Sequence, residues 1–573
     1  MADQTEKTVP GATAVEDGQD QETTPSTESK APPPAAPKTF RFWGTFVALC
    51  LLAFISALDV AIITTALPTI TAEIGGSKQY IWIANSFVLA SSVPQPLFGQ
   101  LANLFGRRKP IIVSVAFFLI GSGIGGGAIN PAMLIAGRSI QGVGAGGIYV
   151  LLDIVCCDLV PLRERGKYLG LMFSWSGVAA ALGPVLGGAL AQSNWRWIFY
   201  LNIPICGLAL VAILFFMRVK DGASTRDAHQ NNLMTKLKKL DVLGNLIFIP
   251  SMIAILLGLI MGGVEHPWSS WKIILPLVLG GVGWIVFHIQ QAFTENPSVP
   301  ARLFSNRTSA VAYALTFLSS VLVQAASYFL PVYFQAVKST TVFTSGVYFL
   351  PFAMGTLVFA TVAGIVLAKT GSYRPLHASA FTLSAIGFGL FTLLNGSTPK
   401  VAWVFYQLIN SAGSGLILSV LLPAIMAGLP ESDVASSSAA YSFIRTFGYI
   451  WGVTIPSLIF TNTFNKNLHL IPSTTLQDML KDGQAYSFAS EAHHLRNSVD
   501  PIVWSQVVDV YSKSLKVIWW LGLGISIFGF FLVGIEKGLP LRNTLETDYG
   551  IQDEKKTSDA ESGEGVVENR PAT

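Results

Sequence analysis

Fourteen apolar stretches of about twenty residues each, separated by polar loops, constrain the fold of this chain more than any other feature. A stretch of that length crosses the roughly 30 Å hydrocarbon core of a bilayer as one α-helix. Only 12% of the residues are charged, against about 25% in soluble proteins. The sequence therefore predicts an all-α polytopic membrane protein. Its predicted spans are 44–67, 81–103, 110–129, 134–153, 168–191, 198–217, 241–262, 272–293, 308–331, 344–367, 376–394, 401–422, 437–460 and 517–536.

The fifth span contains the run Gly183-Pro184-Val185-Leu186-Gly187-Gly188. In a water-exposed helix each Gly would cost about 1 kcal/mol and the Pro about 3 kcal/mol. In a membrane, small residues let helices approach closely, and Pro is tolerated because neighbouring helices support the bend. The run predicts a closely packed, bent helix.

The polar ends and loops indicate how the chain is oriented. Residues 1–40 and 541–573 are polar and predicted to be disordered cytoplasmic tails, and no apolar leader precedes the first span. The loops on the side that begins after the second span hold sixteen Lys and Arg residues, whereas the short loops on the other side hold five. The positive-inside rule therefore places both termini in the cytoplasm.

Two pairs of segments show an internal repeat. In the first pair, Gly99 and Gly106 match Gly364 and Gly371, with the same spacing and with basic residues close behind. The second pair is Arg138-Ser-Ile-Gln141-Gly-Val-Gly144-Ala-Gly146 and Gln407-Leu-Ile-Asn410-Ser-Ala-Gly413-Ser-Gly415. Some secondary transporters are built from two parallel repeats that rock around a midplane site. The predicted parts are a six-helix bundle at 41–218, a cytoplasmic linker with two extra spans at 219–300, and a second six-helix bundle at 301–540 with an outer loop at 461–515.

Five motifs at successive spans carry a family resemblance. They are Leu58-Asp59-Val-Ala-Ile-Ile-Thr-Thr-Ala66-Leu67-Pro68; the loop from Gly99 to Arg108; Arg138, Gln141, Gly142 and Gly144; Gly170 with Ala179 and the Gly183–Gly188 run; and Trp195-Arg196-Trp197-Ile-Phe-Tyr-Leu-Asn202-Ile-Pro204. With these motifs the sequence resembles the major facilitator superfamily over about residues 41–540, and within it the fourteen-helix drug:proton antiporters of fungi. The resemblance implies proton-coupled efflux of small hydrophobic or amphipathic compounds, such as drugs, toxins or a fungal secondary metabolite. Asn103 stands where the family's loop usually has Asp, which implies a weaker or differently built inner lock.

Charged residues inside the spans are the candidate proton-coupling residues, because a charge at membrane depth costs about 2.5–3.5 kcal/mol or more. Asp59 and Arg138 are predicted to couple proton uptake to conformational exchange. The alternatives are that Asp59 is a packing residue paired to a neighbour and that Arg138 reaches the membrane surface. Arg445 is predicted to bind an anionic substrate group or to pair with a carboxylate, and Asp153 to be a site residue or a pairing residue.

Two further sets of residues complete the prediction. Polar and aromatic residues predicted to line a substrate cavity are Gln141, Trp175, Gln324, Tyr328, Asn410 and Arg445. Residues that the resemblance places in the conformational switch are Gly99, Gly106, Arg107, Arg108, Gly183, Pro184, Gly187 and Gly188. His288 and His377 are interpreted as core or interfacial residues rather than proton relays.

The sequence has no nucleotide-binding loop, no metal-ligand cluster and no nucleophile constellation, so an ATP-driven pump, a cofactor and an enzyme are not expected. The four cysteines all lie in or at the ends of apolar spans and are predicted to be free thiols. Asn395 begins a glycosylation sequon, but its predicted loop is very short. The expected partners are a small-molecule substrate, protons and the lipid bilayer, with no nucleic acid, in a monomer of the plasma membrane or of a vacuolar or vesicle membrane.

Other functions stay open at this point. The chain could carry another cargo, such as a siderophore or a basic amino acid, or work as an importer. A receptor that transports nothing is a more remote alternative.

Overall fold

The computed structural model describes residues 39–74, 80–217, 238–262, 266–481 and 483–543. Over these ranges the chain is helical, and its β contact is one isolated bridge between Gly262 and His266. Helices are the expected form, because a backbone in lipid must satisfy its own hydrogen-bonding groups. The all-α prediction is confirmed. The predicted tails up to residue 38 and beyond residue 543, and most of the linker, lie outside the described residues.

The first six predicted spans correspond to eight helices. They are α1 (Phe40–Ile74), α2 (Tyr80–Ser92), α3 (Gln95–Phe105), α4 (Arg108–Gly126), α5 (Pro131–Leu159), α6 (Leu162–Ser193), α7 (Trp197–Tyr200) and α8 (Asn202–Phe216). The second span is divided by a turn at Val93 and Pro94, where proline removes a backbone donor. The glycine-proline run lies inside the single helix α6, as predicted.

The described residues from 238 onward form twelve α-helices. They are α9 (Val242–Met261), α10 (Trp271–Phe293), α11 (Arg307–Val332), α12 (Val342–Thr370), α13 (Arg374–Phe391), α14 (Lys400–Leu418), α15 (Leu421–Met426), α16 (Val434–Asn467), α17 (Thr474–Leu480), α18 (Gln484–Phe488), α19 (Ala492–Leu495) and α20 (Pro501–Val533). A π-helical turn at Tyr333–Val337 extends α11.

Eleven helical spans among the described residues are long and apolar enough to cross a bilayer. The other three predicted spans coincide with α2 and α3, with α6, and with α13. Helices α2 and α3 are each shorter than a membrane span, α13 is less apolar, and part of α6 lies outside the described residues. The total of fourteen spans stays a prediction.

Helices extend into the predicted outer loop 461–515 from both sides. Helix α16 continues to Asn467 and α20 already begins at Pro501, so the connection covers only 468–500 and contains α17 to α19. The first half of α20 buries Trp504, Val507 and Tyr511 at helical spacing while its other face is charged. Such an amphipathic segment escapes a search for continuous apolar stretches, because its average hydropathy is low.

The helices before the linker pack mainly on one another, and so do those from α11 onward. In the first set α1 packs on α6 and α8, and α5 packs on α2 and α4; in the second α14 packs on α12 and α13, and α20 packs on α13. The two sets meet where α6 contacts α12 and where α3 contacts α16. The extra helices α9 and α10 pack on each other, and their apolar core reaches Val93 of the first set and Ile450 of the second.

Glycine contacts show the internal repeat in three dimensions. A β-carbon added at Gly121 would lie 2.3 Å from the backbone of Gln141, and one added at Gly387 would lie 2.6 Å from that of Asn410. Three residues away in each helix the contact recurs, between Gly144 and Phe118 and between Gly413 and Ser384. The helix pairs α4–α5 and α13–α14 therefore pack in the same register.

One end of the helical bundle carries Arg107, Arg163, Arg165 and Arg302, and we call it the basic end. The last described segment, Gly534–Asn543, crosses this end as a C-terminal strap. The Tyr373 hydroxyl donates to the carbonyl of Lys537 at 2.5 Å, and the backbone N–H of Arg163 donates to the carbonyl of Arg542 at 3.2 Å. The strap therefore joins the second helix set, through α13, to the first, through α6.

Candidate functional site

Asp59 of α1 lies at the centre of a buried polar cluster. Its Oδ2 accepts from Arg138 Nη1 at 2.5 Å, and its Oδ1 accepts from Gln141 Nε2 at 2.7 Å. Arg138 and Gln141 lie three residues apart on α5, so both project from one helix face. All three side chains are buried.

Two further helices complete this cluster. Asn202, the first residue of α8, donates to Asp59 Oδ1 at 2.9 Å and to the Ser122 hydroxyl of α4 at 3.2 Å. Gln141 also donates to Ser122, at 3.0 Å, and accepts from Arg138 at 2.7 Å. We call Asp59, Ser122, Arg138, Gln141 and Asn202 the Asp59 cluster.

The glycines of α5 explain why its polar face reaches Asp59. A β-carbon at Gly142 would lie 2.5 Å from the carbonyl oxygen of Phe87, and one at Gly146 would lie 2.2 Å from that of Ser91. Helix α2 can therefore lie directly against α5. The Phe87 ring then covers the Arg138 guanidinium at 4.3 Å, a cation–π contact that partly replaces water.

The Asp59 cluster depends on a complete ion pair. Removing one partner of a buried pair costs about 3–5 kcal/mol, because an uncompensated charge remains in the low-dielectric interior. Arg138 Nε already lacks a hydrogen-bond partner in the structure. A proton on Asp59 would therefore destabilise the present position of Arg138. The Asp59 cluster can in this way convert protonation of a carboxylate into movement of an arginine side chain.

The second half of the repeat has no equivalent charge. Gln407 stands at the position of Arg138 and donates to the carbonyl of Tyr348 at 3.0 Å. Asn410 stands at the position of Gln141 and donates to the carbonyl of Ser384 at 3.5 Å. Both side chains are buried, and the carbonyl oxygen of each lacks a partner.

A second ion pair connects the two helix sets. Arg445 Nη2 of α16 lies 3.5 Å from Asp153 Oδ2 of α5, and the Ser442 hydroxyl donates to the same oxygen at 2.8 Å. The Arg445 guanidinium also lies 5.3 Å from the Phe173 ring and 4.9 Å from the Tyr441 ring. Of the two predicted roles of Arg445, the structure shows the contact with a carboxylate, and Asp153 is that partner.

Two cavities lie on different sides of α11 and α16. The cavity beside Arg445 has a volume of about 10 Å³, which is room for about one water molecule. Its polar lining residues are Thr316, Ser319, Ser320, Ser414, Tyr441, Arg445 and Tyr449. The other cavity, of about 390 Å³, lies between the extra helices and the second set, and its aromatic lining residues are Trp284, Phe304, Tyr313, Phe317, Phe443 and Phe447.

The remaining predicted cavity residues lie apart from Arg445. Trp175 is exposed and meets the Phe54 ring edge-on at 6.4 Å. Tyr328 stacks on Tyr486 of α18 at 5.3 Å. Gln324 is partly buried. The structure thus brings Gln141 to Asp59 and leaves these aromatic residues in other surroundings.

The predicted signature loop lies where the two helix sets meet at the basic end. A β-carbon at Gly99 would lie 2.4 Å from that of Ala439 on α16. Asn103 donates to the Ser436 hydroxyl of α16 at 3.3 Å, so the Asn that replaces the usual Asp forms a neutral contact across the same junction. Gly106 has φ +77°, a conformation that glycine adopts without strain.

The two arginines after Gly106 have different surroundings. Arg107 is buried, and its Nε donates to Asp158 Oδ2 at 2.7 Å. Arg108 Nη2 donates to the carbonyl of Leu214 at 2.7 Å on the surface. Arg107 therefore joins α4 to the end of α5, and Arg108 joins α4 to α8.

Helix α6 makes equally close contacts. A β-carbon at Gly364 of α12 would lie 2.3 Å from the Gly166 carbonyl oxygen, and one at Gly183 would lie 2.3 Å from the β-carbon of Ala61 on α1. Gly187 is buried. The close packing predicted for the glycine-proline run is present at Gly183. The surroundings of Pro184 and Gly188 lie outside the described residues.

Ion pairs hold the basic end together. Arg165, which is fully buried on α6, contacts Glu431 at 2.8 Å. Arg542 of the C-terminal strap approaches the same carboxylate at 3.5 Å. On the exposed rim, a hydrogen bond with Asp433 raises the pKa of the Arg302 guanidinium above its usual value.

Several residues of these networks were not predicted. Ser122, Glu431 and Glu536 were not singled out, and Asn202 was recognised only as part of a motif. His377, predicted to be a core or interfacial histidine, is buried and lies 3.0 Å from Glu536 of the strap. Asn395 is exposed, with its own side-chain oxygen accepting from Ser397. The four cysteines are free and buried, as predicted.

The comparisons with known proteins agree with the fold. The family model described as Major Facilitator Superfamily matches residues 49–453. The protein named MFS efflux transporter aclA, of Aspergillus oryzae, is 44% identical over 533 residues and covers 92% of this chain and 94% of its own length. Efflux pump FUS6 of Gibberella moniliformis is 42% identical over 547 residues, with coverage of 95% and 96%.

A solved structure supports the fold alone. The human organic anion transporter MFSD10 (TETRAN) is 13% identical, covers 87% of this chain and 100% of its own, and gives a TM-score of 0.54. The predicted resemblance to fungal efflux pumps is confirmed, and the family is one of transporters rather than enzymes. This chain belongs to the major facilitator superfamily.

Proposed function

We propose that this chain exports small hydrophobic or amphipathic organic compounds in exchange for protons, by alternating access. The observation that carries the proposal is the buried pair of Asp59 and Arg138 in a chain whose relatives are named efflux transporters and pumps. A carboxylate in this environment can exchange protons, and its charge state decides whether the neighbouring Arg is compensated. The proposed cargo is a drug, a toxin or a fungal secondary metabolite.

In the proposed cycle, a proton that enters from outside neutralises Asp59 and releases Arg138. The released guanidinium changes the contacts of α5, which favours opening of the basic end. Cargo then enters from the cytoplasm, the proton leaves to the same side, and the restored ion pair favours closure of the basic end and release of cargo outside. Each turn thus moves a proton inward and a cargo molecule outward.

Helix α5 is the proposed link between proton and cargo. It carries Arg138 at one level and Asp153 fifteen residues further on, about 22 Å along the helix axis at 1.5 Å per residue. Because Asp153 contacts Arg445 on α16, a shift of α5 changes the junction between the two helix sets. Arg445 is then free to meet an anionic or polar group of the cargo.

The other predicted site residues keep their roles as part of this proposal. Gln141, Trp175, Gln324, Tyr328 and Asn410 would face the cargo when the two helix sets separate, since the cavity beside Arg445 admits about one water molecule here. The glycine contacts at the basic end would open in that step. In this conformation the basic end is closed, so we assign it to the outward-facing state.

The proposed arrangement in the cell follows from the charge distribution. The basic end would face the cytoplasm, with residues 41–218 and 301–540 as the two rocking bundles and 219–300 as the linker and extra helix pair. We propose a monomer in the plasma membrane. Glycosylation at Asn395 is disfavoured by its short loop between α13 and α14.

The experiment uses the purified full chain in proteoliposomes with an imposed pH gradient and a panel of fluorescent lipophilic dyes. Asp59→Asn is expected to abolish transport driven by the gradient, because the site can no longer exchange a proton. The matched control is Asp478→Asn, which changes an exposed carboxylate paired with Lys481 and should transport normally. Unchanged gradient-driven transport by Asp59→Asn would overturn the proposal.

A further inference from the structure

We propose that Asn202 is a positioning residue for the proton-binding carboxylate, and that it determines which oxygen of Asp59 takes the proton. The inference rests on the proposed function, since it concerns the same carboxylate. It begins from a difference between the two oxygens. Oδ1 accepts from two neutral amides, Gln141 at 2.7 Å and Asn202 at 2.9 Å, whereas Oδ2 faces the Arg138 guanidinium.

The two oxygens respond differently to a proton. A neutral amide N–H donates to a carboxylate oxygen and, more weakly, to the carbonyl oxygen of a carboxylic acid, so the contacts of Oδ1 survive protonation although they favour the charged form. Oδ1 also has both of its acceptor positions occupied. Arg138 has donors but no acceptor, so a proton on Oδ2 replaces the Arg138 contact. The proton therefore goes to Oδ2, and its arrival breaks the ion pair directly.

Asn202 is the donor that stays in place when this happens. Gln141 lies on the same helix as Arg138 and accepts from it at 2.7 Å, so its position depends on the ion pair. Asn202 belongs to α8 and is also bonded to Ser122 of α4 at 3.2 Å. Asn202 thus holds Oδ1 from a separate part of the bundle, and Asp59 keeps its orientation while Arg138 leaves.

The surrounding titratable groups do not replace this function. Besides Arg138, two titratable groups that the Asp59 charge influences are Tyr149 on α5 and Cys206 on α8. The Tyr149 hydroxyl donates to the carbonyl of Ser56 at 3.4 Å, so its proton points away from Asp59. The two amides are therefore the contacts that distinguish Oδ1 from Oδ2.

The test is an infrared pH titration of the carboxylic acid C=O band in the purified full chain, with Asp59→Asn as the blank. Asn202→Leu keeps the branched shape and removes the donor to Oδ1. Because that donor favours the charged carboxylate, its loss should move the midpoint of the Asp59 band about one pH unit higher. The midpoint of gradient-driven dye transport should move in the same direction.

Three other variants keep the test decisive. Ser122→Ala removes the anchor of both amides and should give a smaller shift in the same direction. Asn202→Ser, which keeps a small polar residue but cannot reach Asp59, serves if the Leu variant fails to fold, and is expected to shift the midpoint likewise. Asn245→Leu removes a buried Asn that bonds to Ser298 at 3.0 Å, far from the Asp59 cluster, and should leave the midpoint unchanged.

The outcomes separate this inference from the proposed function. If Asp59→Asn abolishes gradient-driven transport but both Asn202 variants leave the infrared midpoint unmoved, the positioning role is wrong and the exchange mechanism stands. If Asp59→Asn transports normally, the proposed function is wrong. A lower thermal stability of the Asn202 variants with an unmoved midpoint would show a packing role only and would also overturn the inference.

Discussion

The closed basic end can be tested through the ion pair between Arg165 and Glu431, which joins α6 to the loop before α16. The two groups lie 2.8 Å apart, and Arg165 is fully buried. In the closed state the Arg165 charge depends on Glu431, whereas separation of the two helix sets would expose it to water. Glu431→Gln should therefore destabilise the closed state and leave the open state nearly unchanged.

The expected magnitude follows from the environment of the pair. Removing one partner of a buried ion pair costs about 3–5 kcal/mol. The amide introduced by Glu431→Gln would still offer a neutral acceptor to Arg165, so a smaller cost of about 2 kcal/mol applies. Since 1.4 kcal/mol is a factor of ten in an equilibrium constant, the open-to-closed ratio at the basic end should rise about thirtyfold.

The assay measures access to the junction between α3 and α16. Ser436→Cys places a thiol where Asn103 contacts α16 at 3.3 Å, and a maleimide can reach it mainly when the basic end opens. The native cysteines are buried and give the background rate. Labelling in the Glu431→Gln protein should be up to thirtyfold faster, whereas Asp478→Asn, which breaks an exposed pair at 2.9 Å, should have no effect. Equal labelling rates in folded Glu431→Gln and parent proteins would refute the reasoning.

Two other predictions concern packing and charge at the same junction. Gly364→Leu should abolish transport while the protein still reaches the membrane, because the new β-carbon would lie 2.3 Å from the Gly166 carbonyl oxygen. The control Gly389→Leu, at a position with open space within 4 Å, should transport normally in the same vesicle assay. Asp153→Asn should lower the free energy of unfolding by about 1–3 kcal/mol by leaving Arg445 unpaired. Its combination with Arg445→Gln should be more stable in thermal unfolding than the single variant, and equal stabilities would contradict the role given to this pair.

Most of the helical architecture could be predicted because hydrocarbon imposes a simple rule. A segment that crosses lipid must be helical and apolar over about twenty residues, and the predicted spans coincide with helices throughout the described ranges. The rule does not detect helical segments that keep a polar face. The start of α20 buries Trp504 and Tyr511 against other helices and keeps its other face polar, so its helical form depends on packing that a hydropathy average does not detect.

Individual residues of the candidate site could be predicted from the sequence, but the contacts between them could not. Asp59 and Arg138 were identified because charge inside a span is costly, yet nothing in the sequence reports their contact across 79 positions. Ser122 and Glu431 were not identified, because a serine in an apolar span and a glutamate in a polar loop are both common. Asn202 gave a signal as a polar residue in a recognised motif, and a search for uncharged donors near span ends would have found it.

The internal repeat duplicates the close packing of the helices but not the Asp59–Arg138 pair. The two helix sets share the glycine register of α4–α5 and α13–α14, and each contributes a motif glycine, Gly99 or Gly364, to the junction with the other set. The duplicated feature is therefore close packing, which supports symmetrical opening and closing. The buried charge is not duplicated, since Gln407 replaces Arg138 in the second set. In the proposed function, the Asp59 cluster in the first half would take the proton, and α5, which also carries Asp153, would connect this response to the other half.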